Sequence, residues 1–359
     1  MEVTTLQEWL GTDEPLIVSG PCSAESYEQV MQTAIALRKI PEVRIFRSGV
    51  WKPRTRPKSF EGVGSEALLW LKDVRKETGL LTAVEVASAQ HVEEAVDSGV
   101  DVVWLGARTV VNPFMVNDIC KALKGTDIPV LVKNPLHPDI NLWIGAMERL
   151  NNVGITKIVA VHRGFFCYQN TEYRNQPMWE VVIELKRRFP NLPIINDPSH
   201  IGGKRSLLLQ IAQKAFDLEL SGLMVETHVN PDEALTDSQQ QITPEQLADM
   251  LSKIVYRKGF SEDKTDNKIE LLRQEIDKLD AELLDILNKR FDIIKEIGVY
   301  KKENNITILQ IDRWRQMFKN RLDMAQNMGY DSAFIKSLIN IIHEESIRLQ
   351  EDIFNDEDI

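Results

Sequence analysis

The sequence predicts an α/β fold, a parallel (β/α)8 (TIM) barrel, followed by a smaller all-α domain of three helices. Three observations predict it. Eight short apolar runs alternate with helical patterns over residues 16–257. Each run ends in charged or metal-ligating side chains. Beyond a charged stretch, "RKGFSEDKTDNK", the period changes to that of long amphipathic helices. The chain of 359 residues therefore divides into a barrel over 1–257, a linker over 258–267 and a helical domain over 268–359.

In chain order the apolar runs are LIVSG near 16, RIFRSGV near 44, LTAVEV near 81 and DVVWLGA near 101, then PVLVKN near 129, KIVAVHRG near 157, PIINDPSH near 193 and GLMVETH near 222. Strands buried on both faces read as nearly continuous apolar runs of this kind. Between them, SYEQVMQTAIALRKI, SEALLWLKDVRKETG, SAQHVEEAVDSG and PEQLADMLSKIVYRK carry apolar residues at helical spacing. After the linker, one long helix is expected from Ile269 to about Lys302, interrupted only by Gly298, with further helices near 310–327 and 331–352.

Composition narrows the function. Hydrophobic residues make up 43% and charged residues 27%, which gives ample core and no large disordered region. A net charge of −11 argues against nucleic acid or an anionic membrane as a general partner. The start, MEVTTLQEWLGTDEP, lacks the order of a signal peptide, and no apolar run is long enough to span a bilayer, so a cytoplasmic protein is expected. Three cysteines, Cys22, Cys120 and Cys167, are too few and too odd for a disulfide framework. Cys120 and Cys167 read as small buried hydrophobes.

Barrel active sites form at the C-terminal ends of the strands. Here those ends supply Cys22, Arg47, Lys52, Glu85, Arg108, Lys133, His162, Arg163, Asp197, His200, Glu226 and His228. Any one cation would be an ordinary solvated charge. Six around one rim (Arg47, Lys52, Arg54, Arg108, Lys133, Arg163), in an acidic protein, suit a ligand bearing phosphate and carboxylate. Cys22, His200, Glu226 and Asp237 can converge from strands one, seven and eight and the loop after eight. Sulfur, nitrogen and oxygen donors together suit Mn, Fe, Co or Zn better than Mg or Ca.

In this order, "GPCS", "RSGVWKPRT", "GAR", "KNP", "HRG", "DPSH" and "GLMVETH" followed by "ALTDSQQQ" resemble the motifs of the type I 3-deoxy-D-arabino-heptulosonate 7-phosphate (DAHP) synthases, β subgroup, over about residues 16–257. The resemblance implies that Cys22, His200, Glu226 and Asp237 bind a divalent metal, with Asp232 as the competitor for the last place. It implies a phosphoenolpyruvate site of Arg47, Lys52, Lys133, Arg108 and Arg163 with Glu85 nearby, and erythrose 4-phosphate contacts from Arg54 and Thr55. Asp197 is expected to orient the His200 loop rather than bind metal. Lys133 or His162 is expected to move protons. The rival within the barrel is the synthase that condenses phosphoenolpyruvate with arabinose 5-phosphate (3-deoxy-D-manno-octulosonate 8-phosphate synthase), which usually carries an Asn-containing motif where this chain has "KPRT".

In the long helix, Leu283, Leu287, Arg290, Ile294, Ile297 and Lys301 form one stripe that Arg290 and Lys301 interrupt. A charge inside an apolar stripe needs a partner, and an anionic ligand would satisfy both. Arg273 lies 17 residues before Arg290, about 26 Å along the helix, too far to reach the same small ligand. Ser346 and Gln350 share a face of the last helix. These residues resemble an AroQ-type chorismate mutase over about 266–352, an intertwined helical dimer in which one Arg of each pocket comes from the partner.

The resemblance implies that Arg273 (from the partner), Arg290, Lys301, Arg313, Ser346 and Gln350 form a chorismate pocket that rearranges chorismate to prephenate. It departs from the family at Gln310, where an acidic residue is usual, and at Trp314, where Glu is usual; both positions lie near the substrate hydroxyl. A dimerising, sensing module without turnover is the alternative. The fusion, with no separate regulatory domain before residue 16, suggests that chorismate or prephenate acts on the barrel as feedback from this module. A homodimer or homotetramer is expected.

Overall fold

The computed structural model describes residues 1–52, 60–168, 171–257 and 267–355. The chain divides into two compact units, Met1–Gly259 and Phe260–Ile359. In the first, eight parallel strands close in sequence order as a barrel: β1 (Leu16–Gly20), β2 (Val43–Arg47), β3 (Leu81–Val86), β4 (Val102–Leu105), β5 (Val130–Lys133), β6 (Ile158–His162), β7 (Ile194–Asn196) and β8 (Gly222–Glu226). All eight coincide with the apolar runs. The helices are α1 (Leu6–Leu10) before the first strand, then α2 (Tyr27–Leu37), α3 (Glu66–Thr78), α4 (Ala89–Asp97), α5 (Ala107–Val110), α6 (Pro113–Leu123), α7 (Ile140–Asn152), α8 (Trp179–Arg188), α9 (Pro198–Gly202), α10 (Leu208–Asp217) and α11 (Pro244–Ser252).

Polar caps start many of these helices. Ser26, Ser88, Asn112, Asp139, Asp197 and Thr243 each accept a backbone N–H of the first turn, satisfying a donor the helix cannot pair internally. Two cores result from strand alternation. Leu16, Val18, Ile45, Ala83, Trp104, Leu131, Val159, Val161, Ile195 and Met224 fill the barrel, while Ile17, Phe46, Val84, Val103, Val130, Ile158 and Leu223 face the helices.

Helix α1 goes unread in the sequence, although Thr5 and Glu8 form a capping box and Gly11 closes the helix in a left-handed conformation. Its Leu6, Trp9 and Leu10 pack against the interior core at the strands' N-terminal end. Conversely, α11 stops at Ser252, short of the expected run to Lys258. Gln213 takes the backbone of Val255 by both its N–H and its carbonyl, and Tyr256 meets Phe216 edge-on, so this segment binds α10 rather than continuing its own helix.

The second unit holds α12 (Asn267–Glu303), α13 (Ile311–Asn327) and α14 (Ser332–Asn355). Helix α12 begins one residue inside the expected 258–267 linker, and 258–266 lie outside the described residues. Gly298 permits a close approach of α12 and α14: a Cβ there would stand 2.9 Å from Ile353 Cδ1 and 3.3 Å from Gln350 Cγ. A small core of Ala325, Ile335 and Ile339, with Trp314, Phe318 and Leu322, joins α13 to α14. The expected burial of the α12 stripe does not hold within one chain, where Leu283 is 55% and Ile297 40% exposed. Ile269, Leu272, Ile276 and Leu279 continue this uncovered apolar face toward the helix start. Among the described residues, no helix is long and apolar enough to cross a membrane.

Candidate active sites

The interior alternation of each strand carries through to the rim. Arg47 follows Ile45, Glu85 follows Ala83, Lys133 follows Leu131, Arg163 follows Val161, Asp197 follows Ile195 and Glu226 follows Met224, each two residues on and therefore on the inner face. That parity, more than proximity in sequence, gathers them at one mouth.

Cys22, Glu226 and Asp237 each place one ligand atom within 4.8 Å of the others. His200, on α9, stands beside them with Nε2 3.8 Å from Glu226 Oε1. Its Nδ1 lies 2.8 Å from Asp197 Oδ2 without hydrogen-bond geometry, while Asp197 Oδ1 accepts the His200 backbone N–H at 3.0 Å. Glu226 is fully buried, and its Oε1 has no hydrogen-bond partner among the described residues. Burial of a carboxylate oxygen beside a thiol and a second carboxylate fits a bound cation, which would satisfy all three. Burial and the Glu226 charge push the Cys22 thiol up to about 12, with Lys52 Nζ, 3.2 Å from the sulfur, acting against them. Despite burial, His200 and Arg47 hold Glu226 below the ordinary carboxylate range. Asp232, the alternative to Asp237, instead pairs with Arg205 at the surface.

Side chains that the sequence reading did not single out lock this cluster. Gln240 Nε2 donates to Glu226 Oε2 at 2.6 Å, and Gln241 Oε1 accepts the Cys22 N–H at 3.0 Å while its Nε2 donates to Thr236 O. Arg174 NH1 bridges Asp237 Oδ1 and Gln240 Oε1 at 3.0 and 2.6 Å. Asp237 itself has φ 48°, a left-handed backbone that few non-glycine residues adopt, so its loop is held rather than relaxed. "SQQQ" was visible in the sequence; which glutamine faced which ligand required the fold.

Arg47, Lys52, Lys133 and Arg163 lie about the same cluster. Arg47 is 1% exposed, lies 3.3 Å from Glu226 Oε1 and sits 4.8 Å over the Trp104 ring, leaving Nε and NH1 without hydrogen-bond partners among the described residues. Lys52 donates to Cys22 O at 3.0 Å. Lys133 pairs with Asp197 Oδ2 at 2.9 Å. Arg163 donates to Asn175 Oδ1 at 2.7 Å, and burial lowers it to about 10, still charged at neutral pH. Arg108, exposed on α5, is near enough for its charge to repel that of Arg163. Glu85 lies against the backbone of Gly106, where an added Cβ would fall 2.0 Å from Oε1, so a side chain there would displace this carboxylate. Arg54 and Thr55 lie outside the described residues.

His162 departs from its expected role. It follows Ala160, so the same parity turns it outward, into the helix layer against Trp179. Asn196 donates to Nδ1 at 3.0 Å, which leaves Nε2 as the donor to Pro177 O at 2.6 Å. With both nitrogens occupied, it is a structural residue and moves no proton in the barrel. Burial pushes its pKa down to about 4 from 6.5. A depressed folded-state pKa means the unfolded chain takes up the proton first, so stability is lost as pH falls from about 6.5 to about 4. The loss is up to roughly 3 kcal/mol. Urea unfolding at pH 7 and pH 4.5 should show this loss and His162→Gln should shrink it; an equal pH slope in both proteins would refute the assignment. Cys167 is also corrected: it is half-buried, whereas Cys120 is buried.

In the helical unit, Arg290 NH1 donates to Ser346 Oγ at 2.7 Å, and Lys301 Nζ donates to Gln350 Oε1 at 3.0 Å and Ile308 O at 2.6 Å. The two cations of α12 and the two polar residues of α14 thus form one constellation. Arg313 is exposed on the first turn of α13, and Arg273 is exposed near the start of α12. The chain does not bring Arg273 to Arg290, as their separation along one helix requires. Arg321, absent from the sequence reading, lies near enough to repel Arg290, which burial first and this neighbour second hold below the ordinary guanidinium value.

A closed barrel with a cation-lined mouth over a buried thiol–carboxylate cluster defines an enzyme for small anionic substrates. The chain belongs to the DAHP synthetase I family, whose profile matches residues 2–258, and it carries a C-terminal chorismate mutase type II domain, matched over 272–351. Its two parts are those of two enzymes, a DAHP synthase and a chorismate mutase. It is 30% identical over 238 residues to a phospho-2-dehydro-3-deoxyheptonate aldolase of Thermotoga maritima, covering 66% of this chain and 68% of that one. It is 26% identical to a 2-dehydro-3-deoxyphosphooctonate aldolase of Hydrogenovibrio crunogenus, covering 71% of this chain and 98% of the relative. The crystal structure of a DAHP synthase from Thermotoga maritima superposes with a TM-score of 0.61 at 28% identity, over 67% of this chain and 68% of that chain.

Proposed function

We propose that the barrel condenses phosphoenolpyruvate with erythrose 4-phosphate to DAHP and phosphate, and that the helical domain rearranges chorismate to prephenate. The observation that carries the first reading is the set of buried cations, Arg47, Lys133 and Arg163, beside a thiol, imidazole and carboxylate cluster in a member of this family. Cys22, His200, Glu226 and Asp237 would hold a divalent ion, Mn, Fe, Co or Zn, which supplies Lewis acidity toward the aldehyde oxygen. Arg47, Lys52, Lys133, Arg108 and Arg163 grip the phosphate and carboxylate of phosphoenolpyruvate, with Glu85 beside them. Arg54 and Thr55 take the second substrate.

Held in this way, C3 of the enol faces the aldehyde carbon and the carbon–carbon bond forms there. The aldehyde oxygen takes a proton, water adds at C2 with loss of one, and the C2–O bond to phosphate breaks as the new C2 hydroxyl gives its proton to the departing phosphate, leaving the ketone. The buried guanidinium of Arg47 and the ammonium of Lys133 stabilise the charge carried away by the phosphate.

The rival sugar is arabinose 5-phosphate, toward which the 2-dehydro-3-deoxyphosphooctonate aldolase relatives point. The "KPRT" sequence and the family match favour erythrose 4-phosphate. Phosphate release from phosphoenolpyruvate is expected with erythrose 4-phosphate and to fall at least about tenfold with arabinose 5-phosphate. It should cease after chelation and return with Mn; preference for the pentose, or full activity in the chelator, would overturn the reading.

The uncovered apolar face of α12 supports a homodimer in which the partner supplies Arg273, with a tetramer as the larger alternative. The helical unit would also sense chorismate or prephenate on behalf of the barrel, because one chain carries both units.

A further inference from the structure

His343 lies on α14 three residues before Ser346 and seven before Gln350, on the face that meets Arg290 and Lys301. Its imidazole stacks on Trp314 of α13, with ring centroids 3.7 Å apart and planes 15° from parallel. Trp314 is braced in turn by Phe318 at 5.2 Å. The histidine ring is therefore fixed in orientation beside the constellation, yet its nitrogens have no hydrogen bond to any described residue. Partial burial, then the charges of Arg290 and Arg321, hold it below its ordinary value, against the weaker pull of Glu344, a balance that favours the neutral ring.

The chemistry of the other pocket groups makes this neutrality useful. Arg290, Lys301, Arg313 and Arg321 offer only donors. Ser346 Oγ accepts from Arg290 and donates to Ile342 O, and Gln350 Oε1 accepts from Lys301 while its Nε2 donates to Ser346 O. Donors suit the two carboxylates and the ether oxygen of chorismate, whereas its ring hydroxyl has a proton to donate, for which an imidazole lone pair is an acceptor beside the amide oxygen of Gln310. A neutral imidazole keeps one nitrogen lone pair. We propose that His343 accepts a hydrogen bond from the ring hydroxyl of chorismate and that Trp314, by stacking, positions the imidazole to do so. This inference rests on the mutase reading above. It also gives Trp314, at a position where the family usually carries an acid, a role in the site.

The test compares chorismate with its ring-deoxy analogue, using the full chain, its His343→Phe variant, which keeps a ring on Trp314, and His343→Asn, which keeps an acceptor. The wild-type chain should favour chorismate. His343→Phe should lose about tenfold in kcat/KM on chorismate and little on the analogue, the difference that one hydrogen bond makes. His343→Asn should retain part of the preference for the hydroxyl. Equal losses on both substrates, or an unchanged preference in His343→Phe, would overturn the inference while leaving the mutase reading intact. A wild-type chain that consumes neither compound would overturn both.

Discussion

Replacing Glu226 by Gln is expected to lower DAHP formation by about 10³-fold or more while chorismate turnover by the same protein is unchanged. The substitution conserves volume and shape, so the barrel interior above Met224 should not collapse or overpack. What it removes is the charge of a fully buried carboxylate whose Oε1 has no hydrogen-bond partner among the described residues. Gln also changes the local electrostatics. An amide nitrogen placed where Oε1 stands would face Arg47 NH2, now 3.3 Å away, donor against donor. Turned over, it would face Gln240 Nε2, which donates to Oε2 at 2.6 Å. Neither rotamer satisfies the site, so the cation affinity and the alignment of Arg47 should both suffer. A divalent ion contributing several kcal/mol to transition-state stabilisation corresponds to the expected loss. Phosphate release and metal content, measured on the same purified sample, decide the matter. Normal metal content with normal phosphate release would remove Glu226 from the cation site, while normal metal content with lost activity would assign it to the reacting groups instead.

The barrel was legible because two independent periodicities agree. All eight apolar runs became strands, since a strand buried on both faces tolerates few polar residues, and the rim residues lie in phase with the interior ones. Applied strictly, that phase would also have set His162 apart: Val161 and Arg163 point inward, so the residue between them points out. The Thr5–Glu8 capping box of α1 was likewise readable. Other features depend on contacts between distant segments. No local pattern tells that Gln213 captures Val255 and ends α11, or that Arg174 bridges Asp237 to Gln240 across 63 and 66 residues. In the helical domain, heptad-like spacing disclosed the stripe and its two cations. It could not tell that part of the stripe remains uncovered in a single chain, because periodicity records which face is apolar and not what covers it.

Arg290→Ala is expected to reduce chorismate consumption by about 10³-fold or more, and Arg290→Lys to restore little of it. The rearrangement is pericyclic and uses no nucleophile, so its rate depends on cations that hold the compact conformer and stabilise charge as it develops. Arg290 is half-buried, its NH1 is fixed on Ser346 at 2.7 Å, and its remaining donors form a planar fork suited to a carboxylate. A lysine ammonium at the end of a flexible stem could keep the charge but not the fork. Alanine would remove both and leave Arg321 without the neighbour that repels it, so relaxation of Arg321 toward the gap sets an upper limit on the loss. The same variant separates the two roles of the helical domain. If the domain also senses prephenate, inhibition of DAHP formation by prephenate should disappear in Arg290→Ala with the uninhibited rate retained, because a ligand that no longer binds cannot shift an equilibrium. If the wild-type chain consumes no chorismate but prephenate still inhibits the barrel through Arg290, the domain is a sensor alone. In that case Gln310 and Trp314, rather than the cations, are where turnover was lost.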